Sequence, residues 1–365
     1  MNKKIVLICG ATYSVVKFRY DLVQKMKQCG FEVSIIALDN KYVDEINTWG
    51  VNFYCINSNS RSVNPIEKLL LIRKIKKRLD LIKPDIVFSF QTAPIIIGTL
   101  AAKKSKIKNI YAKLEGAGDV FVYNSFKWKT LRLIICALYK YVFKKVKKVI
   151  FENNDDKNEF VRRKLITLDK CVVIKSVGVD IDKYSYKEFT NYNTFLMIAR
   201  LKPSKGVIEY CDAARIVKKK HPEAKFKYIG DELTLKISDI QKYIDDNTIE
   251  YLGYIDNIIP YLEDCFVHVL PSYREGFGLV TIQAGSIGRT SIVTDVEGSR
   301  DAVINNKTGY IVPSKNVDAL VEKMIYALEH VEEMIKMGKN ARELVVSNFD
   351  CRMINSLIVE EIENG

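Results

Sequence analysis

From His268 to Pro313 the chain reads HVLPSYREGFGLVTIQAGSIGRTSIVTDVEGSRDAVINNKTGYIVP, and this stretch leaves few architectures open. Val267–Pro271 is a short apolar run closed by proline, the signature of a buried parallel strand. Arg274-Glu275-Gly276-Phe277-Gly278 then places a charged pair and two glycines where that strand gives way to a helix. Glycines at such a junction let backbone approach a ligand, and the helix N-terminus offers free N–H groups to an anion. Gln283 falls on the first turns of this helix, eight residues after Glu275. Ser291–Asp295 is the next strand, and Gly298-Ser299 forms a second turn beside the first. Paired turns at the carboxyl ends of neighbouring parallel strands are where open α/β sheets bind ligands.

The same alternation runs through the rest of the chain. Lys4–Cys9 is a strand, Gly10–Val15 a loop and Val16–Cys29 a helix. Strands follow at Phe31–Ala37, Val51–Cys55, Ile86–Phe90 and Asn109–Leu114, with helices at Pro65–Leu79 and Gln91–Lys103. A second series begins at Thr194–Ala199 and ends in helices at Val317–Glu329 and Val331–Asn348. The polar segment Tyr186–Asn193 reads as the linker between them. The expected organisation is an α/β chain of two doubly wound, Rossmann-like domains, 1–184 and 185–348, followed by a C-terminal helix at 349–365. No G-x-G-x-x-G follows the first strand, which disfavours a dinucleotide-dependent dehydrogenase.

Charge is unevenly divided. Residues 1–180 hold 34 Lys and Arg against 16 Asp and Glu, a net +18, and the remainder of the chain is net −5. The first half therefore faces an anionic partner or simply carries a lysine-rich solvated surface. Ser125–Lys148 mixes Phe126, Trp128, Tyr139, Tyr141 and Phe143 with eight Lys and Arg, as a helix at an anionic bilayer surface does. A core-packed helix with a basic outer face fits the same residues. No nucleic-acid recognition motif accompanies the lysines. Eight scattered cysteines without a C-x-x-C read as reduced thiols of a cytosolic protein, and three distant histidines make no metal site. The apolar run at Ile5–Cys9 is too short for a targeting segment and reads as the first strand.

Together Y-R-E-G-F-G-L, G-S-I-G, I-V-T-D, G-S-R-D-A-V and T-G-Y-I-V-P resemble the family 4 glycosyltransferases, retaining enzymes of the GT-B fold, in which two Rossmann-like domains face a cleft. The resemblance implies a UDP-sugar donor, no metal or other cofactor, and the following roles. Arg200 and Lys205 in IARLKPSKG match the pair that holds the donor diphosphate, and Glu275 matches the sugar-contacting carboxylate. Backbone N–H groups of Phe277, Gly278 and Leu279, after Gly276, would bind sugar and phosphate, and Gly253-Tyr254 would frame the nucleobase beside Gly230-Asp231. Gln283 stands where the family usually has a ribose-binding glutamate; an amide can still bond a hydroxyl, without charge assistance. On residue chemistry alone, Glu275 is equally a cap for the following helix, and Arg200 and Lys205 ordinary surface charge.

On the acceptor side stand Glu115 and Gly116 of LEGAG, with Ser14 and Arg19. LEGAG also resembles members acting on polyprenyl-diphosphate-linked sugars. The implied function is transfer of a hexose or N-acetylhexosamine from a UDP-sugar to such an acceptor in surface-glycan assembly, by a cytoplasmic enzyme at the inner face of the membrane. A GT-B-fold UDP-sugar epimerase and a non-catalytic nucleotide-sugar-binding protein remain as alternatives.

Overall fold

The computed structural model describes residues 3–58 and 64–364. The chain divides into two compact units, Met1–Val177 with Arg352–Gly365, and Gly178–Cys351.

The first unit carries β1 (Lys4–Ile8), β2 (Glu32–Ala37), β3 (Asn52–Cys55), β4 (Ile86–Phe90), β5 (Asn109–Leu114), β6 (Lys148–Phe151) and β7 (Cys171–Val173). They form one parallel sheet in the order β3-β2-β1-β4-β5-β6-β7. Its helices are α1 (Thr12–Phe18), α2 (Tyr20–Gln28), α3 (Val43–Asn47), α4 (Pro65–Ile82), α5 (Thr92–Lys104), α6 (Phe126–Phe143) and α7 (Asn154–Arg162). Central strands such as KIVLI and IVFSF are apolar throughout because helices cover both faces. On one face Leu71, Ile75, Ile97, Ala101, Tyr139 and Phe143 of α4, α5 and α6 share a core with Val6, Ile8 and Val149. On the other, Val23 and Met26 of α2 meet Ile5, Leu7 and Phe88.

The second unit carries β8 (Thr194–Ile198), β9 (Lys225–Ile229), β10 (Glu250–Tyr251), β11 (Val267–Leu270), β12 (Thr290–Thr294) and β13 (Gly309–Val312). The order is β10-β9-β8-β11-β12-β13, again all parallel. Its helices are α8 (Val207–Lys220), α9 (Ile237–Asp245), α10 (Ile259–Asp264), α11 (Leu279–Ile287), α12 (Val317–Glu329) and α13 (Val331–Asn348). The last helix, α14 (Cys351–Asn364), sends Ile354, Ile358, Val359 and Ile362 into the core of the first unit. The fold is thus two parallel-sheet, Rossmann-like domains. In each sheet the strand order reverses once beside the first strand, between β1 and β4 and between β8 and β11. Such switch points open a crevice at the carboxyl edge.

Four expectations change. Gly10–Val15 is not all loop: α1 begins at Thr12, because the Asp39 carboxylate beyond β2 accepts from both the Thr12 backbone N–H and its hydroxyl. The expected single helix breaks at Arg19, whose φ of −131° separates α1 from α2. The unit boundary lies at Val177/Gly178 rather than 184/185. Val179 and Ile181 pack with Phe277, Ile282 and Phe349, and Val179 exchanges backbone hydrogen bonds with Phe349 and Cys351 at 2.8 and 3.0 Å. The polar stretch read as a linker is likewise held in the second unit, by Lys187 N–H on Ile287 O and by Phe189 in its core.

Candidate active site

At the carboxyl edge of β8–β11, loops are stitched to one another through their backbones. Leu201 N–H donates to Asp231 O at 2.7 Å, and Gly230 N–H to Gly253 O at 2.9 Å. Tyr251 hydroxyl donates to Gly230 O and Tyr228 hydroxyl to Ala199 O, each at 2.7 Å. A Cβ on Gly230 would lie 1.7 Å from Ala199 O, so only glycine permits this approach. Tyr273 N–H reaches Ser204 O at 2.8 Å, joining the loop after β11 to the Pro203–Lys205 turn. The second turn lies against the first: a Cβ on Gly298, at φ +72°, would meet Glu275 O and Gly276 O at about 2.5 Å.

This scaffold brings Lys205 and Glu275, seventy residues apart, into an ion pair of 2.5 Å. Glu275 also accepts from Ser272 Oγ at 2.6 Å. Both side chains are mostly but not wholly covered, so a ligand can still reach them. Glu275 is not the cap of α11: Gly278 occupies that position and, having no side chain, supplies no side-chain cap. Arg200 is exposed and has no side-chain partner among the described residues. Of the N–H groups expected to reach a donor, Gly278's goes to Gly298 O at 3.2 Å and Leu279's to Phe277 O at 2.8 Å. In the present turn they are spent internally, and Phe277 turns its ring onto Phe349 in the core. Gln283 Nε2 donates to Tyr184 hydroxyl at 3.1 Å. Tyr254 is half-exposed beside Gly253, its hydroxyl on Asp256.

The carboxyl edge of the first sheet is built from buried charge. Arg19, 1% exposed, donates Nη1 to Ser14 O and Nη2 to Glu115, and its guanidinium lies 4.3 Å from the Phe90 ring centroid. Burial opposes the Arg19 charge most strongly of any single effect, and the attraction and hydrogen bond of Glu115 together with the pull of Cys9 and Glu152 outweigh it. Lys113, equally buried, donates to Glu152 Oε1 and to Ser176 O, both at 2.8 Å. Burial raises the Glu152 carboxyl above its ordinary range, against the pull of Lys113. Cys9 beside them is pushed up to about 11 by burial and stays a thiol. The Asp156 carboxylate takes the Ala117 N–H at 3.0 Å and fixes the loop that carries Gly116. Ser14, Arg19 and Glu115 are therefore one connected group. Lys113, Glu152, Ser272 and Tyr184 went unnoticed in the sequence. The signal for the first two was present: a lysine within NIYAKL and a glutamate closing KVIFE are charges in strands buried on both faces.

Comparison with known proteins covers both units. The model for Glycosyl transferases group 1 matches residues 179–344, and that for Glycosyl transferase 4-like matches residues 4–153. The chain is 29% identical over 357 residues to N,N'-diacetylbacillosaminyl-diphospho-undecaprenol alpha-1,3-N-acetylgalactosaminyltransferase of Campylobacter jejuni, covering 93% of each chain. It is 24% identical to UDP-Gal:alpha-D-GlcNAc-diphosphoundecaprenol alpha-1,3-galactosyltransferase of Escherichia coli, covering 88% of this chain and 86% of that one. Among solved structures, a glycosyltransferase from Rickettsia africae superposes with a TM-score of 0.81 at 22% identity, covering 100% of this chain and 99% of that one.

Proposed function

Since the chain belongs to the glycosyltransferases of the group 1 and 4-like type, with their GT-B class of Rossmann-like domains, we propose that it moves a hexose or N-acetylhexosamine from a UDP-sugar to a polyprenyl-diphosphate-linked saccharide, with retention of configuration, in surface-glycan assembly. The observation that carries this reading is the Lys205–Glu275 pair held among four stitched loops at the switch point of the second sheet. The named substrates of the two bacterial relatives supply its acceptor class, and one of them its nucleotide.

In this reading the bond between sugar C1 and the β-phosphate oxygen breaks, and its electron pair leaves with UDP. Negative charge grows on the phosphate, and fixed cations stabilise it. An ammonium has three donors; Lys205 spends one on Glu275, which holds it in place, and turns the others to the diphosphate. Arg200, free to swing, closes from the same edge, and no metal is required. Glu275 meets the sugar hydroxyls with its second oxygen. The acceptor hydroxyl attacks the face from which UDP departs and passes its proton to a phosphate oxygen. Gln283, steadied by Tyr184, offers its amide oxygen to the ribose. The group of Arg19, Ser14 and Glu115 orients the acceptor. The enzyme works at the cytoplasmic face of the membrane, drawn there by its positive first half, and no described helix is long and apolar enough to cross a membrane.

A thermal-shift panel of UDP, GDP, dTDP, ADP and CMP tests the donor. A ligand at a hundred times its dissociation constant adds about 2.7 kcal/mol to the folded state. A selective rise with UDP is expected; a rise with GDP or ADP alone would exclude a UDP-sugar.

A further inference from the structure

Three helices, α4, α5 and α6, cover one face of the first sheet and share one core, with α5 in the middle. Each follows its strand in a parallel crossover, so all three run the same way, with N-termini at the carboxyl edge of the sheet. The two outer helices do something unusual with their solvent faces. Helix α6 buries Tyr139, Val142 and Phe143, yet its opposite side is apolar as well. Phe126 is 87% exposed and Leu133 72%, and Ile134, Leu138 and Tyr141 continue the stripe at helical spacing. Lys129 and Lys140 flank it, and Lys103 of α5 donates to the Tyr141 hydroxyl at 3.0 Å. Helix α4 repeats the arrangement. Leu71, Ile72, Ile75 and Leu79 are buried, Ile66, Leu69 and Leu70 are exposed on its first turns, and Arg73 and Lys77 extend that outer face.

We infer that the outer faces of α4 and α6 form a two-helix insertion surface for an anionic lipid bilayer. The apolar side chains enter the boundary between headgroups and acyl chains, and the surrounding lysines and arginines meet the lipid phosphates. Charge selects this occupant. The three helices carry twelve Lys and Arg against two acids, Glu67 and Asp80. Two such faces brought together would repel, which disfavours a second copy of the chain. A nucleic acid would satisfy the cations and leave the exposed phenylalanine and leucines in water. A bilayer interface offers apolar depth and phosphates together. Position adds a consequence, which rests on the lipid-linked acceptor proposed above. Phe126 and the Ile66–Leu70 turn lie at the starts of their helices, at the sheet edge that carries Arg19 and Glu115. Insertion there presents a lipid-borne sugar without lifting its lipid from the membrane.

Flotation of the full chain with phosphatidylcholine vesicles, with and without phosphatidylglycerol, tests the surface. The wild type is expected to float with the anionic vesicles. Phe126→Ser, Leu133→Ser and Ile134→Ser combined should weaken vesicle affinity at least about tenfold. Ile66→Ser, Leu69→Ser and Leu70→Ser combined should weaken it about threefold or more. Leu357→Ser, an exposed apolar residue of α14 on the other face, should float as the wild type does. All these side chains are solvent-exposed, so unchanged melting temperatures confirm that the fold is intact. Flotation of both triple variants at wild-type level would leave charge alone as the attraction and overturn the inference. So would a wild type that fails to float, or one whose exposed stripe proves instead to hold a dimer that the triple variants dissociate. Activity separates this inference from the transferase reading. Both triple variants should keep wild-type kcat on a water-soluble short-chain acceptor and lose turnover on the vesicle-embedded one. A wild type inactive on both acceptors would sink the transferase reading while flotation still decided the docking surface.

Discussion

At the carboxyl edge of β8–β11 the loops hold one another through backbone hydrogen bonds and through glycines whose missing Cβ lets two chains touch. At the carboxyl edge of β1–β6 the same task falls to side chains: Arg19 on Glu115 and Lys113 on Glu152, all mostly or fully buried. The difference has a physical consequence. A backbone-built edge leaves the Lys205–Glu275 ion pair partly solvated and open to exchange with a ligand. A charge-built edge cannot give up a partner without stranding the other in a low-dielectric interior. The second unit keeps its charges for chemistry, and the first uses most of its own to hold shape.

The contrast breaks most sharply at the lysines. Lys113→Met leaves Glu152 buried without its cation and should cost about 3–5 kcal/mol of stability by urea unfolding. The loss should shrink at low pH, where Glu152 takes a proton. Lys205→Met should cost under about 1 kcal/mol of stability and lower kcat/KM about a hundredfold. Comparable stability losses in the two variants would erase the distinction.

Glycine substitutions sharpen the backbone side. Gly230→Ala drives a methyl into Ala199 O and should destabilise by about 2–4 kcal/mol. Gly118→Ala in the first unit meets nothing within 4 Å but sits at a positive φ of +81°, which Gly230 does not share, and should cost about 1 kcal/mol. A melting-temperature loss at Gly118 as large as that at Gly230 would mean that close approach costs no more than a strained φ.

A third test reads the second core by pH. His268 is fully buried on β11, its Nδ1 3.2 Å from Ser291 Oγ, and burial lowers its pKa to about 3 from an ordinary 6.5. The folded chain keeps the ring neutral while the unfolded chain protonates it. Its contribution is therefore complete above pH 6.5 and is lost by about 1.4 kcal/mol per pH unit as pH falls from 6.5 towards 3. His268→Leu should remove that slope from a urea-midpoint profile, and an unchanged slope would assign it to other groups. The smallest effect expected is at Gln283. Gln283→Glu restores a charge-assisted bond to a hydroxyl and should lower the donor KM about two- to fivefold, with kcat unchanged.

The regular parts of the fold were legible because their signals are local. Apolar runs closed by glycine or proline marked the parallel strands, and α12 and α13 were read at the residues where they begin and end. Misreadings occurred where the deciding partner is distant. Thr12 starts a helix because of Asp39, twenty-seven residues away, and Tyr186–Asn193 looked like a linker because its anchors, Ile287 and the core around Phe189, belong to other elements. The site divides the same way. Strand ends and glycines mark the loops of the second unit that meet at one sheet edge, whereas nothing in the sequence marks Gly298 O and Phe277 O as acceptors of the Gly278 and Leu279 N–H groups. The Lys113–Glu152 pair joins neighbouring strands at positions where hydropathy registers only an interruption.

One measurement bears most directly on the proposed transfer. The protein is incubated with labelled UDP-sugars and a polyprenyl-diphosphate-linked saccharide, the lipid is extracted, and the new linkage is resolved by NMR. The expected result is label from one UDP-sugar in the lipid fraction, with the anomeric configuration of the donor kept, and about a hundredfold less of it with Lys205→Ala. A nucleotide sugar epimerised without acceptor, or no label in lipid from any UDP-sugar, would contradict it.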